Sequence, residues 1–200
     1  MARVSNRLRG WVVAVVAVVG LLAASSSAVA AAGAFYRFEE VATANWRIVE
    51  DCGNGTTSTT LVTVIGGVEY ESPNLDDRDE FVTVRIRNLQ TCEGEFVNEF
   101  GTGPATYTSS PSLQEASVSG TVTLRNGETA AIDVTWEATG PLETNVNHTQ
   151  FPGFSGTFTS KERDAVATGS VIVNGENLIS GPSQSGSIET LEDRNISTGA

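Results

Sequence analysis

The chain has 200 residues, of which 24 are acids and 12 are Lys or Arg, giving a formal net charge of −12. That surplus repels phosphate backbones and anionic membrane surfaces, so nucleic-acid partners are excluded. With 40% apolar residues, the length suits one domain with a sizeable core.

Residues 1–30 read as a signal peptide. Arg3, Arg7 and Arg9 form a basic start, Trp11 to Ala24 an apolar run, and Ala28-Val29-Ala30 a small-x-small cleavage site. The run falls short of the ~20 residues of a spanning helix, so an uncleaved anchor is the lesser alternative. No second apolar run of spanning length follows, so no membrane span is expected after cleavage. Loss of the three arginines takes the charge to about −15. The expected location is secreted, outside the cell.

From residue 31 the pattern is that of strands. Ala44, Trp46 and Ile48 alternate with Asn45, Arg47 and Val49. Two β-rich arms flank Gly66-Gly67 in LVTVIGGVEY, which predicts a hairpin there. The segment NLDDRDE follows, Asn74 to Glu80. Calcium loops place oxygens at alternate positions and carry a Gly for the turn. Asn74, Asp76, Asp77, Asp79 and Glu80 are the candidate ligands of a weak calcium site, completed from a distant loop by Glu93 or Glu95. Arg78 interrupts the spacing and no Gly follows, so the leading expectation is a solvated hairpin mouth.

FVTVRIRN is next, with Val82, Val84 and Ile86 on one face. Cys52 and Cys92 are the two cysteines, and in an exported chain they predict a disulfide. In SVSGTVTLRNGETAAIDVTWEATG, Val118, Val122 and Leu124 share a face, as do Ala130, Ile132, Val134 and Trp136. Asn126-Gly127 predicts a two-residue type I′ turn between the arms. Trp46 and Trp136 alternate in phase with apolar neighbours and are expected in the core. Asp133 and Glu137 lie on the opposite face, roughly 13 Å apart along a strand, too far for a glycosidase pair.

His148, the lone histidine, sits in polar NVNHTQ, and no nucleophile elbow accompanies it. FPGFSGTF breaks strict alternation. Phe151, Phe154 and Phe158 are a possible ligand surface, or a loop closing one end of the fold. GSVIVNGENLI repeats the Asn-Gly device at Asn174-Gly175. Residues 181–200 read as a polar tail with at most one edge strand near Ser187-Ile188.

Three motifs stand out: A-x-V-x-G-T-V at Ala116 to Val122, V-T-W-x-A-T-G-P at Val134 to Pro141, and A-x-A-T-G-x-V at Ala165 to Val171. On these the chain resembles small exported all-β proteins of actinobacteria and related GC-rich bacteria. The resemblance implies export and an all-β fold and carries no activity.

Residues 31–180 are therefore expected to form one antiparallel β-sandwich, with a closed β-barrel as the alternative. No cofactor is expected beyond the possible calcium. The function expected is a non-catalytic structural or binding module, with a glycan or protein partner. Its contact surfaces would be Asn74 to Glu80, Glu93 to Pro104 and Phe151 to Phe158. The alternatives are a secreted hydrolase using carboxylates, or an inhibitor or partner subunit of another exported protein.

Overall fold

The computed structural model describes residues 33–71, 78–92 and 96–197. The leader, Asn74, Asp76 and Asp77, and Glu93 and Glu95 lie outside the described residues. Every regular element described is a strand. In order these are β1 (Gly33–Asp51), β2 (Thr57–Glu71), β3 (Asp79–Gln90), β4 (Asn98–Ser109), β5 (Glu115–Thr123), β6 (Thr129–Ala138), β7 (Glu143–Phe151), β8 (Phe154–Val173), β9 (Glu176–Asn177) and β10 (Ser185–Ser197).

All pairings are antiparallel, in the order β10-β1-β2-β3-β4-β5-β6-β8, and β8 pairs back onto β10. The pairings therefore return on themselves. Two long strands make this possible by changing partners midway. Pro104 and the residues before it in β4 pair with β3, whereas Ala105 to Ser109 pair with β5. The first half of β8 pairs with β10 and β7, and the second half, Ala165 to Val173, with β6. Strands that pass from one sheet to the other are how two packed sheets make corners. The expected antiparallel sandwich is thus joined along its sides by β4 and β8.

The inner faces are apolar by period-2 alternation. β6 alternates strictly between exposed and buried residues from Thr129 to Glu137. Trp46 and Trp136 are buried, as their phase predicts, in one core with Val64, Val84, Val118 and Val134. Trp46 Nε1 donates to the Gly181 carbonyl at 3.2 Å. An apolar inside with polar residues outside on β5 and β6 is the inverse of a membrane barrel's surface. Among the described residues no helix is long and apolar enough to cross a membrane.

Several local expectations change. Gly66-Gly67 is not a turn, for β2 runs straight through it. A Cβ on Gly66 would sit 2.6 Å from Val118 Cβ on the opposing sheet, so glycine is there for close approach. A Cβ on Gly101 would lie 2.5 Å from the Thr123 carbonyl, where β4 folds over to β5. The Asn126-Gly127 turn is longer than expected. Gly127 alone has positive φ, at 87°, and its N–H donates to the Leu124 carbonyl while Leu124 N–H donates to Glu128. That is a type I turn with a glycine bulge. Asn174-Gly175 does form the two-residue turn, with φ of 53° and 83°.

The segment expected as a tail supplies β10, which lies between β1 and β8 and closes the ring. Its apolar content is low, but Ile188 is fully buried, and backbone pairing on both sides does the rest. Glu93 to Pro104, expected as a loop, is strand from Asn98 onward.

Cys52 and Cys92 form the disulfide, with Cα atoms 5.4 Å apart. It ties the exit of β1 to the exit of β3 across 40 residues of sequence. Reduction, or Cys52→Ser with Cys92→Ser, is expected to lower unfolding stability by roughly 4 kcal/mol in urea titrations. Gly66→Ala should cost about 1–3 kcal/mol by overpacking. Adding Val118→Gly, which removes the clashing Cβ, should recover part of that loss, a coupling that a double-mutant cycle measures.

Candidate functional site

Two surfaces carry chemistry. The first is the hairpin of β7 and β8. Phe151 pairs directly with Phe154 across Pro152-Gly153, with Gly153 at φ 80°. The stretch expected as a possible loop is therefore strand on both sides of a tight turn. Opposed residues and every second residue share a face, so Phe151, Phe154 and Phe158 lie together. Phe151 is 63% exposed and Phe158 43%. The Phe151 and Phe154 rings tilt against each other, with centroids 6.5 Å apart. Gly156, between Phe154 and Phe158, is buried beneath its neighbours. Asn195 Oδ1 lies 2.5 Å from where a Gly156 Cβ would be. Register places Asn147 beside Phe158 and Phe35, itself exposed, beside Asn195. His148 falls on the opposite face, exposed, its Nδ1 3.1 Å from Thr157 Oγ1.

Farther along, the same face turns acidic. Register sets Glu143, Glu162 and Glu189 side by side, with Glu39 and Glu69 paired next to them. Arg37 bridges the last two, at 3.5 Å from Glu39 and 2.5 Å from Glu69. Burial holds the Glu39 carboxyl above its ordinary value of 4.5. Glu69 adds to that shift and Arg37 offsets part of it.

The second surface is a cleft of about 380 Å³ at one end of the ring, lined by Phe38, Glu40, Val68, Tyr70, Arg78 and Tyr107 with Thr108 and Ser109. Phe38 and Tyr70 stack at 4.8 Å. Glu40, only 9% exposed, accepts the Tyr107 hydroxyl at 3.2 Å. Burial pushes the Tyr107 phenol far above its ordinary range, and Glu40 adds to the shift, so the phenol stays protonated and donating. Burial likewise raises Tyr70, with Glu40 second. Glu80 spends both oxygens locally: Oε1 pairs with Arg78 Nε at 2.9 Å, and Oε2 accepts the Tyr107 backbone N–H at 2.7 Å. Of the candidate calcium ligands, Asp79 opens β3, Glu80 is so engaged, and the other three lie outside the described residues. Among the described residues no group of three or more metal-ligating side chains converges.

The cleft was missed by sequence reasoning, though a signal existed. Glu40 is in phase with Ala42, Ala44 and Trp46, and Tyr70 with Val62, Val64 and Val68. A carboxylate on a core-facing register is costly unless it is partnered. Asp133 and Glu137 are exposed on the outer face of β6, as their phase predicts.

No family model matches the chain, and no curated protein does. Solved structures give weak likenesses. One, provisionally named AttH from Nitrosomonas europaea, is 13% identical, with a TM-score of 0.28. That match covers 82% of this chain and 52% of the other, so the chain spans about half its length. MppR, an enduracididine biosynthesis enzyme complexed with the condensation product of pyruvate and imidazole 4-carboxaldehyde, is 10% identical with a TM-score of 0.27, covering 85% of this chain and 90% of the other. An acetoacetate decarboxylase-like enzyme from Sphingomonas wittichii RW1 gives 10%, 0.27, 86% and 94%. Likenesses at this level carry no functional argument.

The raised Glu39 sets a pH dependence. A carboxyl with a folded value above its unfolded one favours folding when protonated. That contribution is full below the unfolded value and is lost as pH rises through the folded one. Glu39→Gln is therefore expected to raise the melting temperature at neutral pH, with the gap closing below pH 4.5. A variant less stable than the parent at neutral pH would contradict this.

Proposed function

We propose that the chain is an exported, non-catalytic binding module whose contact surface is the aromatic outer face of the β7–β8 hairpin. Export rests on the leader pattern of residues 1–30 and agrees with the Cys52–Cys92 disulfide. The observation that carries the binding reading is the exposure of Phe151 and Phe158 on one strand face. Rings of this size are normally buried, and a shared, polar-rimmed exposed patch marks a contact surface.

The chemistry fits an extended glycan. Phe154 and Phe158 are four strand residues apart, roughly 13 Å, with the Asn195 carboxamide over Gly156 between them. Carboxamides at Asn147 and Asn195 flank the rings by register and offer both donors and acceptors. The hydrolase reading is weaker, because the cleft is lined by one carboxylate, Glu40, and Glu80 nearby has both oxygens engaged.

Co-sedimentation of the leader-free, oxidised chain with insoluble polysaccharides and cell-wall sacculi tests this. Retention of the parent, lost on Phe151→Ser with Phe158→Ser, is expected. These exposed changes should alter stability by no more than about 0.5 kcal/mol. Equal retention of parent and variant, or none of either, would overturn the proposal.

A further inference from the structure

The cleft stands apart from the aromatic hairpin face, and its chemistry is different. Its lining is mixed and more polar than apolar: Phe38 and Tyr70, stacked, and Val68 stand among Glu40, Arg78, Thr108 and Ser109. Its one deeply buried charge is Glu40, whose bonded partner is a phenol. A phenol is neutral, so the hydrogen bond fixes the carboxylate without balancing it. Arg78 stands at the rim but is paired with Glu80, and the two charges offset each other. Counted formally over Glu40, Arg78 and Glu80, the cleft has one net negative charge beside the Phe38 and Tyr70 rings. The acidic chain around it adds a negative field.

A buried carboxylate fixed in place beside aromatic rings suits a cation with apolar surface. The rings attract positive charge through their quadrupoles, and more strongly once water is excluded. A neutral ligand would leave the carboxylate without a counter-charge, and an anion would meet it directly. A cleft of about 380 Å³ lies within the range of small-molecule sites.

We infer that the cleft between Phe38, Glu40, Val68, Tyr70 and Arg78 is a binding site for a small organic ammonium ion. Glu40 is its counter-charge, Phe38 and Tyr70 are its aromatic wall, and Tyr107 is the positioning residue that holds Glu40. Glycan binding at the hairpin and ammonium binding here are independent, so either can fail alone.

Isothermal titration of the leader-free, oxidised chain tests the inference on the parent protein first. The probes are choline, n-butylammonium, the uncharged carbon isostere of choline, and butyrate. Saturable binding of either ammonium ion is expected, at least tenfold tighter than the isostere, with no binding of butyrate. The preference between choline and n-butylammonium then says whether the natural ligand is methylated or primary. Glu40→Gln keeps an acceptor for Tyr107 and should weaken ammonium binding about tenfold or more, which is about 1.4 kcal/mol. Tyr70→Ala should weaken it without altering the far-ultraviolet spectrum. Equal affinity for the isostere, a preference for butyrate, or no saturation by either ammonium ion at tens of millimolar would overturn the site. So would unchanged affinity in folded Glu40→Gln.

Discussion

Closure by β10 is the constraint on which the rest of this structure depends. A two-sheet antiparallel fold leaves strand edges with unsatisfied N–H and C=O groups, and here β1 and the first half of β8 would both be such edges. β10 fills both at once, with thirteen residues paired along β1 and eleven along β8. The first half of β8 has little core beneath it. Without β10 it would have only β7, which is exposed along its whole length. The aromatic hairpin face is therefore held flat from the side by a segment that contributes almost nothing to the core.

The two sheets also approach closely. Gly66 against Val118, Gly101 against the Thr123 carbonyl and Gly120 against Val82 are contacts that leave no room for a Cβ at ordinary separation. They lie where β2, β3 and β4 meet β5. Tyr107, near the end of β4, and Arg78, just before β3, line the cleft. There, Glu40 and Tyr107 occupy core-facing registers, and the phenol donates one hydrogen bond to the carboxylate.

The sequence made the strands and their phase legible, because period 2 is a local signal. Trp46, Trp136 and the valines of β3, β5 and β6 were placed by it, and so was the Asn174-Gly175 turn. Global contacts were not legible. Gly66-Gly67 reads as a turn only if no opposing sheet is known, and β10 reads as a tail only if its two partners are unknown. The aromatic trio was visible as an anomaly in the pattern, though its setting in strands was not. Glu40 could have been noticed from its phase. Its partner Tyr107 lies 67 residues away, and no local pattern joins them.

The disulfide has a consequence for the order in which the chain assembles. It spans only the exits of β1 and β3, so it closes a meander whose pairings are all between neighbours in sequence. Joining β1 to β10, by contrast, brings Gly33 against Ser197, the longest separation in the described chain. Contacts of such range cost loop entropy before they return any stability, and they set the rate in β-rich domains. Oxidation of the first three strands can therefore come early, giving a covalently fixed half-sheet. The slow event is the arrival of the last strand, which must find both its edges in one step.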